Sequence, residues 1–360
     1  MTVKTHNPEL TIRALRPDEL NALARLHSLA FKSTSPEKNQ LRYKWKINNP
    51  TGQRICLVAQ NPLGGIVAAN TEVPIRLKIL DQVYTAAFMI NTIVDPSYEA
   101  RNLPFRLLSQ AEIVYPRQGR ALVLTFPNER GLKCFRHHIG ASRLILRIRR
   151  YVKPLNFYAL TYEKKRPFLL KVFFFGGSLL LTPLVGLKNW TKKRPLAGLE
   201  LKHIEKIPDD YEAFWEEANK KYPIAVVRSR EFLQWRFFEE PQGANEFYEA
   251  RLDKKLLGYC VVKLRHKNLD IVDFFCIRKE NIISGIFYEI ARLACKRGAW
   301  WLRLRIHDNY LENLLAEEKF AVDDSGQLAL FELNFPDNQA YKNAQHAESW
   351  YLGAELQEME

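Results

Sequence analysis

The chain has 360 residues, 47% hydrophobic and 26% charged, a composition that argues against disorder and leaves room for two cores. Its formal net charge is +14, but the stretch from Leu146 to Pro208 alone holds 14 Lys/Arg against 3 Asp/Glu. A general nucleic-acid binder would spread its charge over a folded surface. Here the charge concentrates on a segment that reads as a connector.

The five cysteines (Cys56, Cys134, Cys260, Cys276 and Cys295) are scattered and lack CxxC spacing. This argues against a disulfide framework or a zinc cluster and predicts a reducing, cytoplasmic setting. The polar N-terminal stretch has no apolar run of the secretory type.

In chain order, Pro17 to Phe31 carries apolar residues at helical spacing behind an acidic first turn. A second helix is expected to end at Trp45-Lys46, before Pro50-Thr51-Gly52. Strands are expected at Ile55–Ala59, Ile66–Leu80 and Ala86–Asp95. An amphipathic helix should then stop at Gly119, because a basic residue followed by glycine is a helix C-terminal signature. A strand at Ala121–Phe126 and a short helix at Asn128–His138 follow.

The second half repeats this order. Pro208–Tyr222 reads as a helix, and the next helix ends at Trp235-Arg236 before Pro241-Gln242-Gly243. Strands follow at Phe247–Ala250, Leu257–Leu264 and Leu269–Ile277, then a helix ending at Gly298. A strand at Trp300–Ile306, a helix at Asn309–Lys319 and a last strand complete the set.

Between the halves lies Phe168–Leu187, with one charge in 20 residues and basic clusters on both sides. The length suits a membrane span. However, Gly176-Gly177 and Pro183 break it, and the positive charge is not one-sided. A connector buried against both domains, an anchor on an anionic membrane surface through residues 164–194, and a true span all stay open.

The element order, and above all Met89–Leu108, resembles the GNAT superfamily of acyl-CoA-dependent N-acyltransferases in its tandem form. Tandem members of bacterial envelope and polysaccharide gene neighbourhoods end in a tryptophan-tyrosine-leucine segment like Trp350-Tyr351-Leu352. The resemblance implies an α/β fold, a mixed sheet built as two GNAT-like domains. These would be residues 1–145, with the candidate acyl-CoA site, and residues 209–360, a scaffold with a C-terminal tail; 146–208 would be a basic, apolar linker.

By the same resemblance, Ile93 and Val94 would pair with the pantetheine arm of acetyl-CoA or another acyl-CoA. Arg101, Asn102, Leu103 and Phe105 would surround its pyrophosphate at a helix N-terminus, where unpaired amides and the dipole favour anions. Here the loop departs from the family pattern. Glu99 stands where a basic or amide residue is usual, Ala100 and Asn102 replace glycines, and Pro104 removes an amide.

The corresponding stretch of the second half, Phe275–Ile286, has no glycine loop between strand and helix. The family's general-acid tyrosine is also missing: Phe135, Arg136, His137 and His138 occupy its neighbourhood, so His138 or His137 is the substitute. Asn91 takes the strand position where a carboxylate is common, and Asp95 is the nearest acid.

The expected function is transfer of an acetyl or acyl group to a small-molecule amine, such as an amino sugar or envelope precursor. A catalytically inactive binding or membrane-associated module is the alternative, and an aminoacyl-tRNA-dependent peptidyl transferase a further one. No metal is expected, because no HExxH, P-loop or GxGxxG is present and His307-Asp308 lacks a nucleophile partner.

Overall fold

The computed structural model describes residues 10–32, 35–129, 131–132, 144–155, 196–241, 243–332, 338–353 and 356. Local chemistry shapes its first elements. Strand β1 (Thr11–Ala14) leads into helix α1 (Leu20–Phe31), which ends at Lys32 in the left-handed region. Helix α2 (Pro36–Ile47) starts where the Ser35 side chain accepts a bond from the Lys38 amide, and proline holds its first position.

Strands β2 (Cys56–Gln60), β3 (Ile66–Ile79) and β4 (Gln82–Val94) form an antiparallel meander. Helix α3 (Leu103–Arg117) and the short strand β5 (Leu122–Thr125) follow. Strand β6 (Leu144–Pro154) comes next, then β7 (Leu199–Ile204), α4 (Tyr211–Ala218) and β8 (Ile224–Val226).

Helix α5 (Arg230–Leu233) continues into a wider turn, Gln234–Phe238. The antiparallel set β9 (Glu246–Leu252), β10 (Lys255–Arg265) and β11 (Asn268–Cys276) follows. Last come α6 (Glu280–Lys296), β12 (Trp301–His307), α7 (Asn309–Glu317), β13 (Ala321–Glu332), α8 (Asn338–Ala344) and β14 (Trp350–Gly353).

The repeat is visible in matched details. The Gly119 amide bonds to the Pro116 carbonyl and the Arg120 amide to the Tyr115 carbonyl; Gly298 to Cys295 and Ala299 to Ala294 reproduce both bonds. Gly119 and Gly298 have φ of +74° and +67°, a conformation that costs glycine little. Trp45 and Trp235 meet at the join, stacked with ring centroids 4.6 Å apart. Each indole Nε1 donates to the other's backbone carbonyl, at 2.8 and 2.9 Å.

One sheet runs through the described residues in the order β1-β2-β3-β4-β5-β13-β6-β12-β11-β10-β9-β7. The order is nearly palindromic, with a crossing at its centre. β13, from the end of the chain, pairs with β5 of the first half, and β6 pairs with β12 of the second. β13 and β6 pair with each other along most of their length. The exchange leaves neither half with an open edge at the centre, where an unpaired strand would otherwise invite association.

A sheet strand, β6, runs across position 145, and β7 ends at Ile204, short of 208. β6 and β7 lie inside the stretch read as linker, and part of that stretch's charge sits on a central strand. In β6, Leu146, Ile148 and Tyr151 point inward while Arg147 and Arg149 face solvent. Charge count masked this period-two pattern. Residues 156–195, which include the apolar run Phe168–Leu187 and most of its basic flanks, lie outside the described residues.

Candidate functional site

β4 and β5 run parallel and are paired from Ala86↔Leu122 to Met89↔Thr125. There they part. β4 continues to Val94 against β3, with a bulge at Ile90, while the other chain turns away at Phe126-Pro127. Beyond Met89, the edge of β4 that faced β5 has no strand on it among the described residues, and the backbone groups of that edge need partners.

Two adjoining cavities occupy the wedge, of about 410 and about 450 Å3, and they share Phe31, Thr92, Asn128 and Gly131. The larger runs along Ile93 and Val94 to the start of α3, where Glu99, Asn102 and Phe105 line it. Pro96–Arg101 forms a 3-10 turn, pinned by Asp95, whose carboxylate accepts from the Ser97 amide and hydroxyl at 2.9 and 2.6 Å. Asn102 then takes φ +51°, a left-handed value that asparagine tolerates better than most residues.

Helix α3 begins at Leu103 behind the left-handed Asn102, and Pro104 in its first turn has no amide to offer. A diphosphate would find the helix dipole and Arg101, whose Nη1 is buried with no hydrogen-bond partner among the described residues while the guanidinium lies 4.7 Å from the Tyr98 ring centroid. Glu99, exposed on the same wall, opposes it. The open β4 edge suits an extended amide-bearing arm such as pantetheine. The site thus fits acyl-CoA, with one repulsive residue.

The smaller cavity lies on the other side of the wedge, under α1 and α2. His27, Arg42, Asn91, Thr92, Thr125 and Asn128 supply its polar groups, with Phe31 and Phe126 among its apolar ones. His27 Nδ1 is 3.1 Å from the Tyr43 hydroxyl, and its ring meets Phe31 edge-on. Burial, with the nearby Lys46 and Arg42 cations, pushes the His27 pKa down to about 4. The imidazole is neutral at physiological pH. Asn91 is 9% exposed; its side chain lies beside the Tyr43 hydroxyl, yet Nδ2 has no hydrogen-bond partner among the described residues.

Of the residues expected at the cofactor site, Ile93, Val94, Asn102 and Phe105 line the larger cavity. The Leu103 side chain is fully buried in the core beneath, so only its backbone is available there. Arg101 stacks on Tyr98 at the edge of the loop. Asn91 lines the smaller cavity. His137 and His138 lie outside the described residues. The expectations omitted His27 and Arg42. His27 was the detectable one, a titratable residue on the buried face formed by Leu23, Ala24 and Leu26.

The second half repeats the wedge and fills it. β11 and β12 pair in parallel from Asn268↔Trp301 to Ile271↔Leu304 and then diverge. β14 enters there: Leu352 and Gly353 pair with β12, and the Tyr351 hydroxyl donates to the Phe274 carbonyl of β11. The other face of β14 pairs with β8, which in turn pairs with β3. His307 is held by the Arg147 and Ala347 carbonyls, and Asp308 caps α7 and pairs with Arg278. Both are structural.

Among the described residues there is no cluster of three or more His, Cys, Asp or Glu that could hold a metal, and no helix long and apolar enough to cross a membrane.

Residues 11–132 match a family described as Acetyltransferase (GNAT) domain. Comparison with curated proteins finds no match. Among solved structures, a probable N-acyltransferase from Enterococcus faecalis V583 is similar, with TM-score 0.67 and 11% identity over 91% of this chain and 73% of that one. A tandem GNAT protein from the clavulanic acid biosynthesis pathway matches with TM-score 0.55 and 15% identity, over 91% of this chain and all of that one (100%). Saccharomyces cerevisiae N-myristoyltransferase with bound myristoyl-CoA matches with TM-score 0.56 and 11% identity, over 91% and 79% of the two chains. The family match supports acyl transfer as the activity class. Residues 11–132 are thus similar to the GNAT acetyltransferase domain, and the chain as a whole shares its fold with a tandem GNAT protein.

Proposed function

We propose that the first half binds an acyl-CoA along the larger cavity and transfers its acyl group to an amine held in the smaller one, while the second half serves as scaffold. The observation that carries this is the pair of connected cavities on either side of the point where β4 leaves β5. Acyl-CoA supplies the activated acyl group. The edge of β4 at Ile93 and Val94 would hold the pantetheine arm, and the start of α3 with Arg101 the pyrophosphate.

Among the described lining residues of the smaller cavity there is no carboxylate to act as a general base. The surroundings do something else. The burial and positive field that keep His27 unprotonated also favour the neutral, nucleophilic form of an amine placed beside it. Asn91 offers a buried donor that would orient the acceptor. In this reading, the division of labour follows the halves around residues 145 and 209, with an amino sugar or envelope precursor as the acceptor expected from the resemblance.

A second reading has one observation in its favour. Glu99 on the pyrophosphate wall suits a descendant that has lost its cofactor and keeps the fold for binding. Calorimetric titration of the full chain with acetyl-CoA and with longer acyl-CoAs separates the two. Saturable binding of one molecule per chain is expected; no binding of any acyl-CoA removes the transferase reading.

A further inference from the structure

The acceptor side of the wedge has a chemical character of its own. Its polar lining converges from different parts of the first half: His27 on α1, Arg42 on α2, Asn91 and Thr92 on β4, Thr125 on β5, and Asn128 beyond it. Arg42 is the one charged residue among the described lining residues. Behind the wall, Lys46 is 2% exposed and lies 5.8 Å from the Tyr43 ring, so a second cation adds its field from inside the protein. Arg54, also buried, lies 5.5 Å from the centroid of the same ring.

Asn91 Nδ2 is buried beside the Tyr43 hydroxyl and has no hydrogen-bond partner among the described residues. An acceptor oxygen reaching it would supply the missing partner. The cavity thus combines an Arg, a field of cations and an unpaired donor. That is the complement of an oxyanion. A neutral or cationic acceptor would leave the Asn91 donor unmet by any charge-assisted bond and would place its own positive character against Arg42 and Lys46.

We infer that the cavity formed by His27, Arg42 and Asn91 takes an amine that also carries an anionic oxygen group, a carboxylate or a phosphate, with that group on Arg42 and Asn91 and the amine toward the end of β5. The inference rests on the acyl-transfer reading for its consequence, but the binding it predicts needs no acyl-CoA. The amine and its anionic group play separate parts. The amine becomes the nucleophile; the anion is the handle that places it.

The test titrates the full chain, by calorimetry, with matched probes that differ in the anionic group alone: glycine against glycinamide, and glucosamine 6-phosphate against glucosamine. The anionic member of at least one pair is expected to bind at least tenfold tighter than its neutral partner. Preference within the glycine pair assigns a carboxylate, and within the glucosamine pair a phosphate. Arg42→Gln should abolish the difference and leave the neutral members unchanged; Arg42→Lys should keep part of it. Asn91→Asp, which puts a carboxylate where the free donor was, should weaken the anionic member at least tenfold.

Equal binding of both members of each pair, no binding of any probe, or an undiminished preference in both Arg42→Gln and Asn91→Asp overturns the proposal. A parallel titration with acetyl-CoA reads the other cavity. Loss of acyl-CoA binding there would sink the transferase reading while leaving the anion preference to be judged on its own.

Discussion

The two halves build the same wedge between parallel strands and use it differently. In the first, β4 and β5 part to leave two connected cavities with an unpaired strand edge and a helix N-terminus opening on them. In the second, β11 and β12 part in the same way, and β14 occupies the gap, with Trp350, Tyr351 and Leu352 all buried. A splayed strand pair is therefore a recurrent consequence of this fold, not a sign of activity. What distinguishes a binding cleft from a structural seam is whether the protein supplies its own strand to satisfy the exposed backbone.

The largest effect should come from disturbing that internal strand. Tyr351 packs against Tyr222 and Phe275 with its hydroxyl on the Phe274 carbonyl, so Tyr351→Ala should cost about 3–5 kcal/mol of stability in urea unfolding. Acetyl-CoA stoichiometry should stay at one per chain. A stoichiometry of two would break the contrast, because the second wedge would then lack only room.

A smaller effect is expected at the helix starts. Glu99→Gln removes an exposed carboxylate from the pyrophosphate wall and should tighten acetyl-CoA by about three- to tenfold, a difference of ~1 kcal/mol. Glu280→Gln, at the first position of α6 in the second half, should change nothing. Equal responses at the two positions would mean that both halves bind the cofactor.

The mildest test concerns His27. Its pKa falls from the ordinary 6.5 to about 4 on folding, because the buried ring resists protonation. The unfolded chain therefore binds more protons between these values, and stability should decline as pH drops from about 6.5 to about 4. His27→Gln keeps a polar partner for Tyr43 and should flatten that decline, measured as the urea midpoint against pH. An unchanged slope would show that the ring is solvated, and would weaken the picture of a cation-rich acceptor wall.

Much of the fold was legible because its signals are local. Gly119 and Gly298 each terminate a helix with the same pair of bonds, and the Trp45 and Trp235 positions of the repeat are the residues that lock together. The crossed strands were not legible. Nothing local in β6 or β13 tells the strand which half its neighbour comes from. β1 and β8, of four and three residues, are too short to stand out.

At the site, Val94 and Asn102 could be read from the motif around them, since one stretch of chain makes that wall. Arg42 could not. Its place beside Asn91 depends on how α2 lies over the sheet, a matter of tertiary packing.

The crossing at the centre of the sheet has a consequence for synthesis. β5 forms one wall of the first half's wedge, and its second neighbour is β13, residues 321–332. During translation, the cleft therefore stands incomplete until nearly all of these 360 residues have left the ribosome. A product truncated before residue 321 would lack the strand that closes the first half's sheet. The connectivity makes completion of the first half's sheet wait on a strand of the second.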